Sequence, residues 1–345
     1  MDETRIKRAF ARATLSAPTP LLQIAAGLRR ADGYTLDPQI GLLVRLGELL
    51  GEPRTHEQPV PVSRRTFVHQ TRIVDLRPPG GVRAEDRTVD LAGGPRPLRI
   101  YRPGQLDGGA PALVYYHGGG FVVGDLHSHD GVCRWLSREA RAVVIAVDYR
   151  LAPEHPFPAA IEDGLAAYRW ALAHRGELGV DAIGVGGDSA GGCLAAVVCQ
   201  QAKALGLPQP AAQMLIYPVT HVGSKLPSRQ TFATGVFLEK PTIDWFTDHY
   251  LPPGAPRDDP RASPLLAERV DGLAPALVLT AGFDPLRDEG KAYADRLREA
   301  GVPVDYFCAT TLPHGFWSMG GVVDEARRWV LRAARRTGAL LRQPR

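Results

Sequence analysis

Cysteine is scarce in this chain of 345 residues. Cys133, Cys193, Cys199 and Cys308 are the full complement, with no Cys-x-x-Cys spacing and no accompanying histidine cluster. That argues against a disulfide framework, a zinc ribbon and a dithiol redox motif. Small or apolar neighbours (Gly192-Cys193-Leu194, Val198-Cys199) predict buried, reduced thiols instead. Long apolar runs are also missing: nowhere do 18 apolar residues follow one another, so no transmembrane helix is expected. The opening Met1-Asp2-Glu3-Thr4-Arg5-Ile6-Lys7-Arg8 lacks the apolar core of a signal peptide. Charge of one sign is lacking as well, with 41 Lys+Arg against 37 Asp+Glu and a net +4. Nucleic-acid binding needs clustered cations rather than so slight an excess. The one cluster, Arg327, Arg328, Arg332, Arg335, Arg336, Arg342 and Arg345, reads as the solvated face of a C-terminal helix. The expectation is a cytoplasmic protein that uses neither membrane nor nucleic acid, with homo-oligomerisation left open.

What is present is ordinary globular material, 44% hydrophobic and 23% charged, enough for a large core without metals or disulfides. The first fifty residues carry no strand signal. Ile40, Leu43, Val44, Leu46 and Leu50 recur at helical spacing behind Asp37, which suits an N-cap. A polar connector runs from Gly51 to Pro61, and short strands are expected at Thr88–Leu91 and Leu98–Tyr101. Beyond Pro111, short apolar runs alternate with helical stretches. The runs are Ala112–Tyr116, Val143–Val147, Ile183–Gly186, Met214–Tyr217 and Ala276–Thr280, with a last strand at Val304–Cys308. The helical stretches include Ala159–Ala173 and Ala190–Leu205. This alternation predicts an α/β fold with a mostly parallel central sheet flanked by helices. Val219–Pro264 breaks the rhythm. It has no strand candidate, gathers Phe232, Phe237, Trp245, Phe246 and Tyr250, and is far longer than an ordinary connection. It reads as an insertion over one end of the sheet.

Gly187-Asp188-Ser189-Ala190-Gly191 lies between a predicted strand and a predicted helix, the context a G-x-S-x-G nucleophile elbow requires. The turn is too tight for flanking side chains, and it holds the serine at a helix N-terminus that favours developing negative charge. Upstream, His117-Gly118-Gly119-Gly120-Phe121 directly follows another strand and leaves backbone N–H groups bare. Such donors to a tetrahedral oxyanion are each worth roughly 2.7–4 kcal/mol. A serine nucleophile needs a base and the base needs an acid. Of ten histidines, only His314 lies beyond the last predicted strand, as the serine–acid–histidine order of this fold demands. For the acid, Asp284 stands on the loop ending a strand, whereas Asp288 lies inside the next helix. Asp284 is preferred, with Asp288 second.

These segments resemble the hormone-sensitive-lipase-like esterases, bacterial family IV of the α/β-hydrolase superfamily. The resemblance rests on Tyr116-His117-Gly118-Gly119-Gly120-Phe121, on the run Asp148-Tyr149-Arg150-Leu151-Ala152-Pro153-Glu154-His155-Pro156-Phe157-Pro158-Ala159-Ala160, and on Gly187-Asp188-Ser189-Ala190-Gly191-Gly192. Asp284-Pro285-Leu286-Arg287-Asp288-Glu289-Gly290 and His314-Gly315-Phe316 complete it. It implies an α/β-hydrolase fold and hydrolysis of small apolar carboxylic esters of short to medium acyl chain, with no metal and no cofactor. It also implies Ser189, Asp284 and His314 as the catalytic triad, and an oxyanion hole from the N–H groups of Gly118, Gly119 and Ala190. Residues 1–60 and the insertion 219–264 would form a helical cap over a catalytic domain of residues 61–218 and 265–345. The cap would bring Leu238 and Phe246 near the acyl pocket. Thr310-Thr311-Leu312-Pro313 departs from the usual family wording, and the first 35 residues match poorly.

Two other readings compete. A non-catalytic binding protein can use the same fold; a plant hormone receptor resembling this family keeps the serine loop but loses the histidine, which is present here. Amidase, lactonase or acyltransferase chemistry would use the same triad.

Overall fold

The computed structural model describes residues 3–104, 106 and 109–343. Helices α1 (Glu3–Leu15), α2 (Thr19–Ala26), α3 (Pro38–Leu50) and α4 (Val60–Val74) come first. Asp37 caps α3 as expected, its carboxylate accepting the N–H groups of Gln39 (2.8 Å) and Ile40 (3.3 Å). Against expectation, two-residue strands β1 (Arg30–Ala31) and β2 (Tyr34–Thr35) pair between α2 and α3. Their turn is Asp32-Gly33, with φ of 50° and 77°, and Asp-Gly is the dipeptide that favours such a tight hairpin.

The main sheet contains β3 (Val82–Leu91), β4 (Gly94–Pro103), β5 (Ala110–Tyr116), β6 (Val143–Val147), β7 (Val180–Asp188), β8 (Gln213–Ile216), β9 (Ala276–Phe283) and β10 (Val304–Pro313). Their order is β10-β9-β8-β7-β5-β6-β4-β3. Strands from β6 through β10 run parallel with β5, while β3 and β4 are antiparallel at one edge. The two short strands expected near residues 88–101 are one hairpin of ten-residue strands. Its half-exposed, charged positions are tolerated because an antiparallel edge can face water on one side.

Helices α5 (Asp130–Ala140), α6 (Ala159–Ala173), α7 (Arg175–Leu178), α8 (Ala190–Ala204), α9 (Ser228–Thr231), α10 (Lys240–Tyr250), α11 (Arg287–Glu299) and α12 (Asp324–Leu341) complete the fold. Every residue of β5, β6, β8 and β9 is buried. Alternate side chains serve opposite faces. Val114, Ile145, Val185 and Leu215 pack with Leu194 and Leu297 on one face; Leu113, Val144, Met214 and Leu277 pack with Leu136 and Val330 on the other.

The stretch between β8 and β9 is helical and loop-like, as the sequence indicated, and it meets the N-terminal segment. His56 Nδ1 lies 2.9 Å from Thr242 Oγ1, and Arg29 donates to the Gly235 carbonyl at 2.6 Å. Arg327 is half-buried and donates to the Gly320 carbonyl at 3.0 Å; the other described C-terminal arginines are exposed, with Arg335 pairing with Glu139 at 2.7 Å, Arg336 with Asp305, and Arg332 lying over Phe307. Arg345 lies outside the described residues. Cys133, Cys193 and Cys199 are buried free thiols, while Cys308 is only half-buried. No helix among the described residues is long and apolar enough to cross a membrane.

Candidate active site

Ser189 stands between β7 and α8 with φ 55° and ψ −117°, a conformation that costs a non-glycine residue about 1–3 kcal/mol and persists only where its surroundings enforce it. Here they do. The Ser189 N–H donates to the Ile216 carbonyl at 2.8 Å, and its carbonyl accepts from Cys193 (3.1 Å) and Val219 (3.2 Å). A Cβ on Gly187 or Gly191 would fall on the Tyr116 carbonyl oxygen at the end of β5. The glycines of the motif are therefore required by how closely β7 and α8 approach the neighbouring strand.

β10 ends at Pro313 and delivers His314 on the following turn, where Gly315 takes a φ of 82°. The Ser189 hydroxyl is 2.9 Å from His314 Nε2, and His314 Nδ1 is 2.8 Å from Asp284 Oδ2. Asp284 is 0% exposed, and its other oxygen accepts the Leu286 N–H at 2.8 Å. One carboxylate oxygen is thus left for the imidazole. Asp288 is engaged elsewhere, accepting from the Ser228 N–H and from Arg287 at 2.9 Å each. The unusual Thr310–Pro313 stretch carries a register irregularity of β10, and its Thr311 carbonyl accepts the Asp37 N–H at 2.9 Å. It ties the start of α3 to the strand that presents His314.

The glycine loop corrects one expectation. Gly118 N–H is not available to an oxyanion, because it donates to the buried Asp188 carboxylate at 3.0 Å. Gly119 and Gly120, with φ of 117° and 60°, border the cavity together with Ser189 and His314. Among the described residues no protein acceptor takes the N–H groups of Gly119, Gly120 or Ala190. The first glycine fastens the loop, and the next two border the cavity.

Above the serine lies a cavity of about 870 Å³, walled by segments from α3, α4 and α10. Leu238 and Phe246 both line it, whereas Trp245 packs on His249 (ring centroids 4.4 Å). The Phe246 ring rests on Gly120 so closely that a Cβ there would strike it.

Sequence reasoning passed over the groups beneath the loop. His129 and Asp188 are buried and 3.3 Å apart, Nε2 to Oδ1. His117 Nδ1–H donates to the Gly118 carbonyl at 2.7 Å, and burial lowers the pKa of this imidazole to about 4. Asp75, pushed by burial up to about 7, accepts N–H groups from Leu76 (2.7 Å) and from Gly131 (2.9 Å) in the first turn of α5.

Sheet order, elbow and histidine loop together define an α/β hydrolase. Residues 113–318 match the family described as having the alpha/beta hydrolase fold, and the chain belongs to that family, in its hormone-sensitive-lipase-like branch. It is 43% identical to the carboxylic ester hydrolase LipN of Mycobacterium tuberculosis, covering 88% of this chain and 83% of that protein. It is 46% identical to an ethyl acetate hydrolase of Pseudomonas putida, over 67% of this chain and 74% of the relative. Among solved structures, an ester hydrolase from the metagenome of Lake Arreo, complexed with a bipyridine phosphonate derivative, superposes with a TM-score of 0.86. That match is 44% identical and covers 88% of this chain and 98% of the other.

Proposed function

We propose that this protein is a serine carboxylesterase in which Ser189 is the nucleophile, His314 the base and Asp284 the acid that orients it. The observation carrying this reading is the unbroken line from Ser189 Oγ through His314 (2.9 Å) to Asp284 (2.8 Å) at the floor of a large cavity. His314 Nε2 takes the hydroxyl proton as Oγ bonds to the ester carbonyl carbon, and the carbonyl electron pair moves onto oxygen. The N–H groups of Gly119, Gly120 and Ala190 receive that oxyanion. Its collapse breaks the bond to the alcohol oxygen, which leaves with the proton from His314. Water then repeats the sequence on the acyl-enzyme and regenerates Ser189.

The substrates are carboxylic esters of short to medium acyl length, in keeping with the names of the relatives. Residues 1–60 and the segment 219–264 act as a cap whose Leu238 and Phe246 limit the acyl group. The enzyme works in the cytoplasm with its thiols reduced, in keeping with four free cysteines. Ser189→Ala tests the reading with p-nitrophenyl esters of graded acyl length. kcat is expected to fall by about 10⁶-fold, since serine and base act as a unit, with the melting temperature little changed. Retention of a tenth of the wild-type rate would exclude Ser189 as nucleophile.

A further inference from the structure

Asp188 puts a buried negative charge directly behind the groups meant to receive another. It adjoins Ser189 in sequence, and its Oδ1 holds the Gly118 N–H one peptide away from the Gly119 donor. Tyr115 OH donates to the same oxygen at 2.5 Å, and Tyr217 OH lies 3.5 Å from Oδ2. Neutral donors fix the carboxylate in place without cancelling its charge. In a poorly solvated site, an uncompensated anion opposes a second anion forming nearby.

The compensating cation is present. His129 Nε2 faces Asp188 Oδ1 at 3.3 Å, and its Nδ1 faces Ser128 Oγ at 2.9 Å. The Ser128 hydroxyl gives its own proton to the Asp125 carbonyl at 2.8 Å, so toward His129 it can only accept. Both ring nitrogens therefore meet acceptors, an arrangement satisfied by the doubly protonated imidazolium.

We propose that His129 and Asp188 are a positioning pair for the oxyanion loop, Asp188 fastening Gly118 and the His129 imidazolium balancing the charge this requires. The rest of the surroundings agrees. Burial alone would lower the His129 pKa, but Asp188, aided by Asp75 and Asp125, outweighs it and the net shift is upward. Burial alone would raise the Asp188 pKa, but His129 and Tyr115 reverse it. The other groups facing His129 are the His117 ring at 5.6 Å, held neutral at ordinary pH, and the uncharged rings of Tyr115 and Phe67. Asp188 and His129 touch no reacting atom in this scheme; they act through the loop and its field.

The proposal rests on Ser189 being the nucleophile, and it predicts that kcat falls on the alkaline side as His129 loses its proton. The test follows p-nitrophenyl butyrate hydrolysis by the full-length enzyme from pH 5.5 to 9.5. His129→Gln, which keeps one donor toward Asp188 but no charge, is expected to lower kcat about 10- to 100-fold with KM within about threefold. It should also remove the alkaline limb. Adding Asp188→Asn should recover part of the lost kcat, because the stranded charge goes too. Ser128→Ala leaves both charged groups in place and should move the limb to lower pH; it decides the matter if His129→Gln fails to fold. Wild-type kcat and an unchanged limb in His129→Gln, or an unmoved limb in Ser128→Ala, would overturn the proposal. Those outcomes are distinct from failure of the nucleophile assignment, which would appear as an active Ser189→Ala.

Discussion

Replacing Asp284 with Asn changes one atom, and the surrounding hydrogen bonds dictate which way the new amide must point. Oδ1 of Asp284 accepts the Leu286 N–H at 2.8 Å, and Oδ2 faces His314 Nδ1 at 2.8 Å. The site is fully buried, so no water can repair a mismatch. With its oxygen kept on Leu286, the asparagine points its NH₂ at Nδ1, which must then accept. The ring proton moves to Nε2, and His314 can no longer take the proton of Ser189. Turning the amide over restores the ring tautomer but sets NH₂ against the Leu286 N–H, a buried unsatisfied donor costing about 1–3 kcal/mol. Even then the imidazolium that forms has lost its carboxylate. A fall of about 10⁴-fold in kcat is expected, roughly 5.5 kcal/mol of transition-state stabilisation. Asp288→Asn is the control: it loosens contacts with Ser228 and Arg287 and should change kcat less than about tenfold, its larger effect being on stability. The assay is kcat/KM on p-nitrophenyl butyrate beside a thermal melt of each variant. A folded Asp284→Asn enzyme with more than a tenth of wild-type activity, or the reverse ranking of the pair, would refute the reasoning.

Phe246→Ala should shift preference toward longer acyl chains, by about 1–3 kcal/mol per methylene-sized misfit, because its ring sits on Gly120 at the cavity floor; an unchanged acyl-length profile would make the ring packing alone. Gly191→Ala should cost about 2 kcal/mol or more in urea denaturation, since its Cβ meets the rigid Tyr116 carbonyl; a loss under 0.5 kcal/mol, the range of about ±0.5 typical of surface changes, would contradict that account. Asp75 gives a pH test. Burial raises its pKa from 3.8 to about 7, so between those values the native state holds more protons than the unfolded chain. Its contribution to stability is present in acid and is lost as pH rises from about 4 to 7. Asp75→Asn should remove that part of the slope, whatever it does to the absolute level; an identical slope in both proteins would place the effect elsewhere.

The parallel core was readable because strands buried on both faces become unbroken apolar runs, as at Val143–Val147, whose ends the structure reproduces. Strand lengths were less readable at the site. β7 and β9 run on through Gly187-Asp188 and Gly282-Phe283, positions whose glycines and charge mimic loop but are buried within the strands. That Ser189, His314 and Asp284 come together was legible because the fold imposes their chain order. Which glycine N–H groups stay free was not, since the one spent on Asp188 depends on a contact between residues 70 apart in sequence. His129 was invisible for a related reason: its importance comes from Asp188, and no periodicity or spacing links the two.

Phe246 resting on Gly120 joins two jobs that enzymes of this architecture could otherwise keep separate. Most of the cavity wall comes from stretches far along the chain from the strand ends that carry Ser189, Asp284 and His314, so its lining could be rebuilt without disturbing the machinery below. At Phe246, wall and machinery share a surface. A lineage exploring new substrates through residue 246 would be altering the support of Gly120, proposed above as an N–H donor, as well as the available room. Changes of diet made there should carry a toll in turnover, while those made along α3 should be comparatively free. The adaptable part of this protein is accordingly the far end of its pocket, and the near end is its conservative one.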